Sequence, residues 1–479
     1  MGKMDNFSDW YNDVIEKAQL IDKRYPVKGM DVWLPYGWSI MRAVDAFTRS
    51  EMERTNHGEV KFPLLIPVTE FNKEADQIKG FGGEVYWVTK GGHNDLDIPL
   101  VVRPTSETAM YPMFSLWVRS HADLPLKTYQ IVSVFRYETK MTRSFMRVRE
   151  IHFFEAHTAH ADYEDAERQM REDAEIFSRI AKKICIPYIA HQRPDWDKFP
   201  GAYYTVGADA LLPEKKTLQI GTWHQYRDNF AKAYDIKYEG KDGQFHYAHQ
   251  TTYGMSERLL GAIVAVHGDD KGLVLPPGIA PHQAVIVPIL FKGKEEPVLQ
   301  ACRALADTLR GAGFRVHVDE RDQTAGFKFN DWEMRGVPIR IEIGPKDVEK
   351  GSCVVVPRIK EDVKSLGGLD FGAGKVFVPV ADLPGKLGGI LDDFSAALLA
   401  RATKFRDENI VYPKTIDETK TLMGLLRVGW CGTEACGKKL ETTSEKAVLG
   451  VPQGDVKFQG ACIACGTATT TCVDVAKTY

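Results

Sequence analysis

Residues 134–157 constrain the fold of this chain more than any other stretch, because they predict two β-strands joined by a basic loop. Arg136 and Glu138 are two positions apart, so we expect their side chains on one face of the first strand. The loop carries Lys140, Arg143, Arg147 and Arg149. A guanidinium binds phosphate oxygens in a planar fork, and a carboxylate accepts a hydrogen bond from an exocyclic amine. The pattern therefore predicts a nucleotide triphosphate site, whereas a surface hairpin with ordinary salt bridges is the alternative.

Two further segments predict contacts with a ligand. Residues 250–258 lead into an apolar helix, and Arg258 lies in its first turn, where a cation opposes the helix dipole. That position is favourable when the guanidinium and the helix end bind the same anion, and the small Ser256 would let a substrate approach. Residues 218–224 alternate like a strand, and Gly221 would allow the backbone to approach a ligand closely. A surface strand with neutral polar residues is the alternative for this segment.

A strand that runs into a helix at residues 100–120 supplies a third candidate. Thr105 and Glu107 stand where the helix begins, so simple helix capping is one explanation. The other is a binding site, since a buried carboxylate without a partner is costly and a bound ammonium group would relieve that cost.

Composition limits the classes of protein to which this chain can belong. Its 479 residues predict roughly two to four domains. Hydrophobic residues make up 44% and charged residues 27%, as in globular proteins. A net charge of -3 excludes nucleic-acid binding through overall charge, so any RNA contact must be local. The N-terminal segment is polar and no apolar run could span a bilayer, so we expect a cytoplasmic protein with no membrane partner.

Cysteines cluster near the end of the chain. Cys431 and Cys436 form one close pair, and Cys462 and Cys465 form another. Four thiolates in two such pairs predict a closed tetrahedral zinc site that is structural, with Cys472 as an alternative ligand. Short spacings of this kind favour a metal site in a reducing cytoplasm over disulfides.

Together these segments resemble the three motifs of class II aminoacyl-tRNA synthetases. Residues 39–55 predict a long helix and residues 60–68 a strand containing Pro67, which is similar to motif 1. Residues 135–147 resemble motif 2, and residues 250–258 resemble motif 3. The resemblance implies a catalytic domain built on an antiparallel sheet, and a homodimer whose interface is formed by motif 1.

The resemblance also implies how ATP would be bound. Arg136 would bridge the substrate carboxylate and the α-phosphate, and Glu138 would read the adenine amine. Arg147 and Arg258 would hold the γ-phosphate, which makes Arg136 and Arg258 the expected catalytic residues. Mg²⁺ is expected on the phosphates. The full expected ATP-binding set is Arg136, Glu138, Arg147, Val148, Gln219, Thr222, Ser256 and Arg258.

The amino-acid site is similar to that of the prolyl-tRNA synthetases. Glu107 would supply charge to the secondary ammonium of proline, and Thr105 would supply a hydrogen bond. The short stretch between motifs 2 and 3 leaves no room for the large editing insertion of bacterial-type members. The cysteine-rich tail and the terminal Tyr479, expected to pack back near the active site, resemble the archaeal and eukaryotic type. The expected proline-binding set is Thr105, Glu107, Arg136, His157 and His224.

From residue 283, strands and helices alternate, which predicts a small α/β domain with a partly parallel sheet. It resembles the anticodon-binding domain of the glycyl, histidyl, prolyl and threonyl enzymes. We therefore expect an α/β (α+β) chain with a class II catalytic domain at 1–282, an anticodon-binding domain at 283–404 and a zinc-binding domain at 405–479. The implied activity is the ATP-dependent attachment of L-proline to tRNA(Pro) in two steps through a prolyl-adenylate.

Two other functions stay open at this point. A sister class II enzyme for another amino acid would keep the motifs, although Thr105 and Glu107 count against it. So does the lack of any cysteine before Cys185, because a threonyl enzyme uses a catalytic-domain cysteine for its active-site zinc. A non-catalytic RNA-binding paralogue would be expected to have lost Arg136 or Arg258, and both are present.

Overall fold

The computed structural model describes residues 2–73, 83–359 and 363–479. Its helices are α1 (Phe7–Lys17), α2 (Pro35–Arg54), α3 (Val68–Asn72), α4 (Glu107–Trp117), α5 (Tyr163–Lys183), α6 (Asn229–Tyr234), α7 (Arg258–His267), α8 (Glu295–Gly311), α9 (Ala325–Met334), α10 (Pro345–Lys350), α11 (Leu383–Glu408), α12 (Glu418–Thr421) and α13 (Glu434–Ser444). A short 3₁₀ helix spans His121–Asp123.

The strands before residue 283 are β1 (Ile21–Asp22), β2 (Val32–Trp33), β3 (Gly58–Glu59), β4 (Leu65–Pro67), β5 (Tyr86–Gly91), β6 (Asn94–Val102), β7 (Leu126–Phe135), β8 (Glu150–His160), β9 (Ile189–Gln192), β10 (Tyr204–Leu211), β11 (Thr217–Arg227), β12 (Lys237–Glu239), β13 (Phe245–Tyr247) and β14 (His249–Ser256). Those after it are β15 (Ala284–Pro288), β16 (Val316–Val318), β17 (Ile339–Ile343), β18 (Ser352–Pro357), β19 (Ser365–Leu366), β20 (Leu369–Asp370), β21 (Val376–Pro379), β22 (Ile410–Val411), β23 (Leu425–Gly429), β24 (Ala447–Pro452), β25 (Gly460–Ala461), β26 (Ala468–Thr469) and β27 (Cys472–Ala476).

The main sheet positions the candidate site. Its strand order is β22-β23-β27-β24-β9-β10-β11-β14-β8-β7-β3. Every neighbouring pair from β9 to β7 is antiparallel, as expected from the class II motifs. Helices α2, α5 and α7 cover one face of this sheet with apolar side chains such as Phe177 and Ile263, and both of these are completely buried. A smaller antiparallel sheet, β4-β6-β5, lies beside it.

The basic hairpin exists, but its first strand is shorter than predicted. Phe135 pairs with Glu150 at the last position of β7, so Arg136 and Glu138 lie beyond the strand end. The N–H of Glu138 donates to the carbonyl of Arg136 at 2.8 Å, which closes a tight three-residue turn. The prediction that both side chains lie on one face of a strand is therefore wrong, because the backbone turns between them.

One other element differs from expectation. Within the range 60–68, predicted as a strand, only Leu65–Pro67 is a strand, and it belongs to the smaller sheet. Gly58–Glu59, just before this range, form a separate strand parallel to β7. Apolar residues continue between the two strands, so the pattern alone did not reveal the break.

The α/β region after residue 283 follows the sequence prediction closely. β15 is parallel to both β16 and β17, whereas β18 and β21 extend the sheet in antiparallel fashion. Cys185, Cys302 and Cys353 all lie in the hydrophobic cluster of this region.

The C-terminal module is continuous with the main sheet. We use this name for residues 409–479, which contain β22 to β27, α12 and α13. Antiparallel pairing of β24 with β9 places Val451 opposite Gln192 and Pro452 opposite His191. The module therefore shares backbone hydrogen bonds with the catalytic region. Within the described ranges, every helix is too short or too polar to cross a bilayer.

Candidate active site

A cavity of about 440 Å³ opens over β8, β11 and β14 and is bounded by the motif 2 loop. Its wall contains nearly every site residue predicted from sequence, although these residues come from widely separated parts of the chain. They are Thr105, Glu107, Arg136, Glu138, Arg147, Val148, Gln219, Thr222, His224, Ser256 and Arg258.

A β-bulge explains how Gln219 and Thr222 reach the same cavity. Residues three apart on a regular strand point to opposite faces. Opposite them on β10, Ala208 pairs with Gly221 and Asp209 pairs with Gln219, so Ile220 is an extra residue on β11. The extra residue brings the side chains of Gln219 and Thr222 to the same face of the sheet, and both line the cavity.

Gly221 has a different role from the one predicted. A Cβ atom at this position would lie 2.5 Å from the ring of Phe177, which belongs to α5 on the covered face of the sheet. The missing side chain therefore makes room for helix packing rather than for a ligand. Gly254 does face the cavity, where a Cβ would come within 3.0 Å of the Phe153 ring.

One end of the cavity is built around a buried carboxylate, and we call it the carboxylate end; it comprises Thr105, Glu107, Thr205, His224 and Thr252. Glu107 is 2% exposed. Its Oε2 accepts a hydrogen bond from Thr105 Oγ1 at 2.5 Å, and its Oε1 accepts one from Tyr226 Oη at 3.0 Å. Two donors hold the carboxylate, yet no cation is hydrogen-bonded to it among the described residues.

A second buried acid supports this end from behind. The Oε1 of Glu155 accepts hydrogen bonds from Ser106 Oγ and, at 2.9 Å, from Gln130 Nε2, while its Oε2 lies 3.3 Å from His157 Nε2. Burial alone would raise the pKa of Glu155, but these hydrogen bonds and the charge of His157 lower it. Glu155 and Gln130 were not predicted, because single polar residues in strands carry no motif. Ser106 was not predicted either, because a serine just before a helix is an ordinary cap residue.

His157 does not lie where it was expected. As the described residues form it, the cavity wall leaves out His157, which is completely buried behind Glu155 and Thr252. Its Nδ1 is 3.1 Å from both Tyr111 Oη and Thr252 Oγ1. Burial opposes protonation, but the hydrogen bond to Glu155 and the charge of Glu107 raise the pKa of His157. His157 therefore supports the pocket from behind and does not line it.

His224 carries no stabilised charge. Burial, with the charges of His157 and Arg193, lowers its pKa to about 3. Its Nδ1 lies 2.8 Å from Thr205 Oγ1, and the Thr222 hydroxyl, which donates to the Val206 carbonyl at 3.2 Å, lies 3.5 Å from its Nε2. Glu107 thus remains the dominant charge at the carboxylate end.

The other end, the arginine end, is positive; it comprises Arg147, Gln219, Ser256, Glu257 and Arg258. Arg258 Nε donates to the Met146 carbonyl at 2.8 Å and Nη1 to the Gln219 carbonyl at 3.3 Å, which aims the guanidinium across the cavity. Burial, together with the charges of Arg136 and Arg147, lowers the pKa of Arg258 to about 10. Three guanidinium groups that repel one another form a site for a polyanion.

Arg136 connects the two ends. Its Nε donates to the Pro104 carbonyl at 3.2 Å, next to Thr105. Burial lowers its pKa, while the charge of Glu107 and two other acids raises it. Because its charge acts on both Glu107 and Arg258, a ligand that bears an ammonium, a carboxylate and a phosphate could meet all three groups at once.

Glu138 and Arg147 are paired with each other in this state. Arg147 Nη1 donates to Glu138 Oε2 at 2.7 Å, and the Lys140 N–H donates to Oε1 at 2.9 Å. The sequence analysis assigned these two side chains to opposite ends of ATP, the adenine and the γ-phosphate. A nucleotide that used both in those roles would have to break this ion pair.

One buried carboxylate at the arginine end is unsatisfied. Glu257 is 4% exposed, and its Oε2 has no hydrogen-bond partner in the described part of the chain. Burial raises its pKa to about 8. Glu257 was not predicted, because an acidic residue at a helix start is favoured by the helix dipole and carries no sign of function.

Comparisons with known proteins agree with this geometry. Residues 86–267 match the tRNA synthetase class II core domain of the G, H, P, S and T enzymes, and residues 283–370 match an anticodon binding domain. The chain is 52% identical to the proline–tRNA ligase of Pyrococcus abyssi and 53% identical to that of Thermococcus kodakarensis, and each alignment covers 99% of this chain and 98% of the relative.

The chain belongs to the prolyl-tRNA synthetases. Its structure is similar to that of a Giardia lamblia prolyl-tRNA synthetase in complex with prolyl-adenylate, with a TM-score of 0.93, 34% identity and coverage of 100% and 99% of the two chains. It is also similar to a Cryptosporidium parvum prolyl-tRNA synthetase complexed with L-proline and AMP, with a TM-score of 0.92, 31% identity and coverage of 100% and 96%. The expected family and class II fold are confirmed.

The C-terminal residue of this prolyl-tRNA synthetase lies against the motif 2 loop. Arg143 Nη1 donates to Tyr479 Oη at 2.8 Å, and the Arg143 guanidinium also faces the rings of Tyr479 and Tyr11. The N–H of Tyr479 donates to the Thr217 carbonyl at 3.1 Å, at the start of β11. The terminal tyrosine therefore packs close to the site, as the resemblance implied.

The four tail cysteines converge on one point. The sulfur atoms of Cys431, Cys436, Cys462 and Cys465 all lie within 4.8 Å of one another, and Cys465 Sγ is 3.9 Å from Cys431 Sγ. A tetrahedral zinc with ~2.3 Å bonds requires sulfur separations of about 3.8 Å, so this cluster fits the ion. Hydrogen bonds from Thr433 lower the pKa of Cys431 to about 6, which favours a thiolate. Cys472 lies apart from the cluster in β27, buried by its neighbours.

Proposed function

We propose that this chain attaches L-proline to tRNA(Pro) in two ATP-dependent steps. The observation that carries the proposal is the polarity of the cavity. A buried, doubly hydrogen-bonded carboxylate, Glu107, stands at one end and the repelling guanidiniums of Arg147 and Arg258 stand at the other. Proline with its secondary ammonium suits the first end, and the triphosphate of ATP suits the second.

In the first step, a carboxylate oxygen of proline attacks the α-phosphorus of ATP. The bond from that phosphorus to the bridging oxygen breaks, and pyrophosphate leaves with the electron pair. Arg136 stands between the two ends and would stabilise the charge that develops on the α-phosphate. Glu107 with Thr105 would hold the ammonium, so the reaction depends on positioning and charge rather than on a protein nucleophile.

In the second step, the terminal ribose hydroxyl of tRNA attacks the activated carbonyl. The ester bond to the ribose forms, the mixed anhydride breaks, and AMP leaves together with the proton of the hydroxyl. The anticodon binding domain matched at residues 283–370 supports tRNA as the partner.

Mg²⁺ would accompany the triphosphate. The oxygen donors at the arginine end fit such an ion, because Gln219 lines the wall and the unpartnered Oε2 of Glu257, among the described residues, lies beside it. When bound, the ion would neutralise phosphate charge, while Arg258 and Arg147 would orient the phosphates.

The function is tested by pyrophosphate exchange into ATP with purified protein, run separately with proline, threonine, cysteine and alanine. Exchange that strongly favours proline is the expected result. Exchange with a different amino acid would be consistent with a class II synthetase but would overturn the assignment of the carboxylate end to proline. A folded protein without exchange for any of the four would favour a non-catalytic RNA-binding role.

We also propose a homodimer formed through the motif 1 region. An apolar groove of about 590 Å³ runs between residues 60–67 and α4. Large apolar side chains are exposed around it, including Leu64, Leu65, Leu116 and Trp117, and contiguous apolar surface of this kind marks an interface. Because the family resemblance assigns motif 1 to the dimer interface, the proposed occupant is a second copy of this chain.

Leu116→Lys should weaken the dimer, because a charge would be buried in the interface. Tyr412→Lys is the matched control, since Tyr412 is also exposed but lies in the C-terminal module. The molar mass from sedimentation equilibrium distinguishes the two. A monomer of the unmodified chain, or equal dissociation of both variants, would overturn the interface.

We propose three domains with the boundaries 1–282, 283–404 and 405–479. Separate hydrophobic clusters in the catalytic, α/β and C-terminal parts support this division. All eight cysteines are unpaired thiols, which supports a reducing, cytoplasmic location.

We propose that Zn²⁺ is held by Cys431, Cys436, Cys462 and Cys465. The protein should contain about one zinc per chain, and Cys462→Ser should release it and lower the melting temperature of the C-terminal module. Cys472→Ser is the matched control. Loss of zinc from the control, with retention in Cys462→Ser, would make Cys472 the ligand instead.

A further inference from the structure

Five charged side chains form a buried bridge between the C-terminal module and the catalytic sheet. Arg427 donates to both oxygens of Asp474 at 2.8 Å, and Asp474 Oδ2 lies 3.0 Å from His191 Nε2. His191 Nδ1 lies 2.7 Å from Asp209 Oδ2, and Arg193 Nη2 donates to Asp209 Oδ1 at 2.8 Å. All five side chains are buried, so the bridge has little access to water.

The chemistry of the bridge requires a charged histidine at its centre. Both ring nitrogens of His191 face carboxylates, and only the imidazolium can donate to both. Burial would lower the pKa of His191, but the hydrogen bonds to Asp209 and Asp474 raise it. Charges of alternating sign therefore run from Arg427 to Arg193, and removing one member would leave its neighbours buried and unpaired.

The catalytic end of the bridge reaches the candidate site. Arg193 lines the cavity, and its guanidinium occupies the space over Gly207, where a Cβ would lie 2.2 Å from Nη2. Its Nη1 donates to the Leu449 carbonyl of the C-terminal module at 2.7 Å. Asp209 and Leu449 therefore hold this guanidinium from two sides, one on the catalytic sheet and one on the module.

Arg193 lies directly behind the carboxylate end. The backbone N–H of Arg193 donates to the Thr205 carbonyl at 2.8 Å. The Thr205 hydroxyl accepts from the Phe199 N–H at 2.9 Å and lies 2.8 Å from His224 Nδ1. A shift of Arg193 would move this wall, whereas Arg258 and Arg147 at the arginine end share no hydrogen bond with it among the described residues.

We propose that Arg193 is a positioning residue of the carboxylate end, and that the C-terminal module sets its place through Asp474 and His191. The inference rests on the proposed function, because it assigns the carboxylate end to proline. The module then contributes to amino-acid recognition although none of its own side chains lines the cavity, as the described residues form it.

The test uses the full-length, zinc-loaded protein and measures KM for proline and for ATP separately in pyrophosphate exchange. Asp474→Asn keeps the shape of the side chain but removes its charge, so KM for proline should rise about tenfold. KM for ATP and kcat should stay within about twofold. Lys446→Met is the matched control, since Lys446 is a buried cation whose Nζ donates only to carbonyls of the module, those of Thr419, Lys420 and Ser444.

A double-mutant cycle separates coupling from general destabilisation. Arg193→Met should raise KM for proline at least as much as Asp474→Asn, and the double variant should be no worse than Arg193→Met alone. Arg193→Lys should leave KM for proline nearly as high as Arg193→Met does, because one ammonium cannot reproduce the planar guanidinium that joins Asp209 to Leu449. Should Asp474→Asn fail to fold, His191→Asn replaces it in the same cycle.

Equal rises in both KM values, additive effects in the cycle, or a rise in KM for proline with Lys446→Met would overturn the coupling. These outcomes are distinct from failure of the proposed function, which would appear as absence of proline-dependent exchange in the unmodified protein.

Discussion

The two ends of the cavity differ in how completely they are built before a substrate arrives. At the carboxylate end, Glu107 is held by Thr105 and Tyr226, and His157 is locked against Glu155 behind it. At the arginine end, Arg147 is paired with Glu138, and the Oε2 atom of Glu257 lacks a hydrogen-bond partner within the described residues. With the two ends assigned as proposed, the comparison predicts that the amino acid binds to a preorganised pocket, whereas nucleotide binding requires a rearrangement of charged side chains.

The largest effect is expected from the removal of the Arg136 side chain, which connects the two ends of the cavity. Arg136→Ala should lower pyrophosphate exchange about a thousandfold, because in the proposed function this one guanidinium would bind both the amino-acid carboxylate and the α-phosphate. The fold should persist, since Arg136 stands past the end of β7, and thermal unfolding checks this. Near-normal exchange by the Arg136→Ala protein would contradict the catalytic role proposed for Arg136.

The preorganised end is probed by Glu107→Gln, which keeps the shape but removes the charge. KM for proline should rise about 100-fold, because the secondary ammonium would lose its buried counter-charge. KM for ATP should change little. Tyr226→Phe is the graded control, since it removes one donor to Glu107 and leaves the carboxylate in place. An equal rise in KM for proline and for ATP would mean that the two ends of the cavity do not bind their ligands independently.

The rearranging end is probed by Arg147→Ala. KM for ATP should rise about tenfold through loss of a charge-assisted hydrogen bond, partly offset because Glu138 no longer has to be released from its ion pair. Lys140→Ala removes an exposed cation from the same loop and should have no more than about a twofold effect. If KM for ATP rises equally in both variants, the total positive charge of the loop, rather than the guanidinium of Arg147, binds the phosphates.

The smallest effect concerns the unsatisfied acid. Burial raises the pKa of Glu257 in the folded protein from its ordinary value of 4.5 to about 8. Between these values the unfolded chain has released its proton and the folded chain retains it, so Glu257 lowers stability progressively as pH rises through this window. Glu257→Gln cannot ionise, and it should gain about 1–3 kcal/mol over the unmodified chain between about pH 5 and about pH 8.5.

Thermal or urea unfolding of both proteins across this range measures the difference. The stability gap should widen as pH rises and level off above about pH 8. A gap that is constant with pH would show that Glu257 is already ionised and paired in the folded protein.

Some of the site was predictable because its residues occur in local patterns. Thr105 with Glu107 and Arg136 with Glu138 are short patterns that resemble known motifs. Arg258 at a helix start conflicts with the helix dipole, and such a conflict marks function. Glu155, Gln130 and Tyr226 were missed because each is one polar residue within a strand. Their importance depends on partners far away in the sequence, such as Ser106 for Glu155 and Glu107 for Tyr226.

Errors arose where the backbone departs from a regular period. Gln219 and Thr222 share a face only because Ile220 is the extra residue of a bulge, and Gly221 makes room for Phe177 on the opposite face. Arg136 and Glu138 were expected on one strand face, but β7 ends at Phe135. Neither a bulge nor a strand end changes the apolar pattern enough to be recognised from residues alone.

The sequence by itself determined the family, the class II motifs, the cysteine pairs and the separation of a carboxylate site from an arginine site. These depend on residue types at short spacings, which local chemistry constrains. Only the tertiary structure decided that Glu138 pairs with Arg147, that His157 stands behind the pocket, and that Asp474 reaches Arg193 through His191. Asp474 and His191 are 283 positions apart, whereas Glu138 and Arg147 are close along the chain but meet only because the loop between them folds back. Burial in a low-dielectric interior strengthens the contacts of Asp474 and His191.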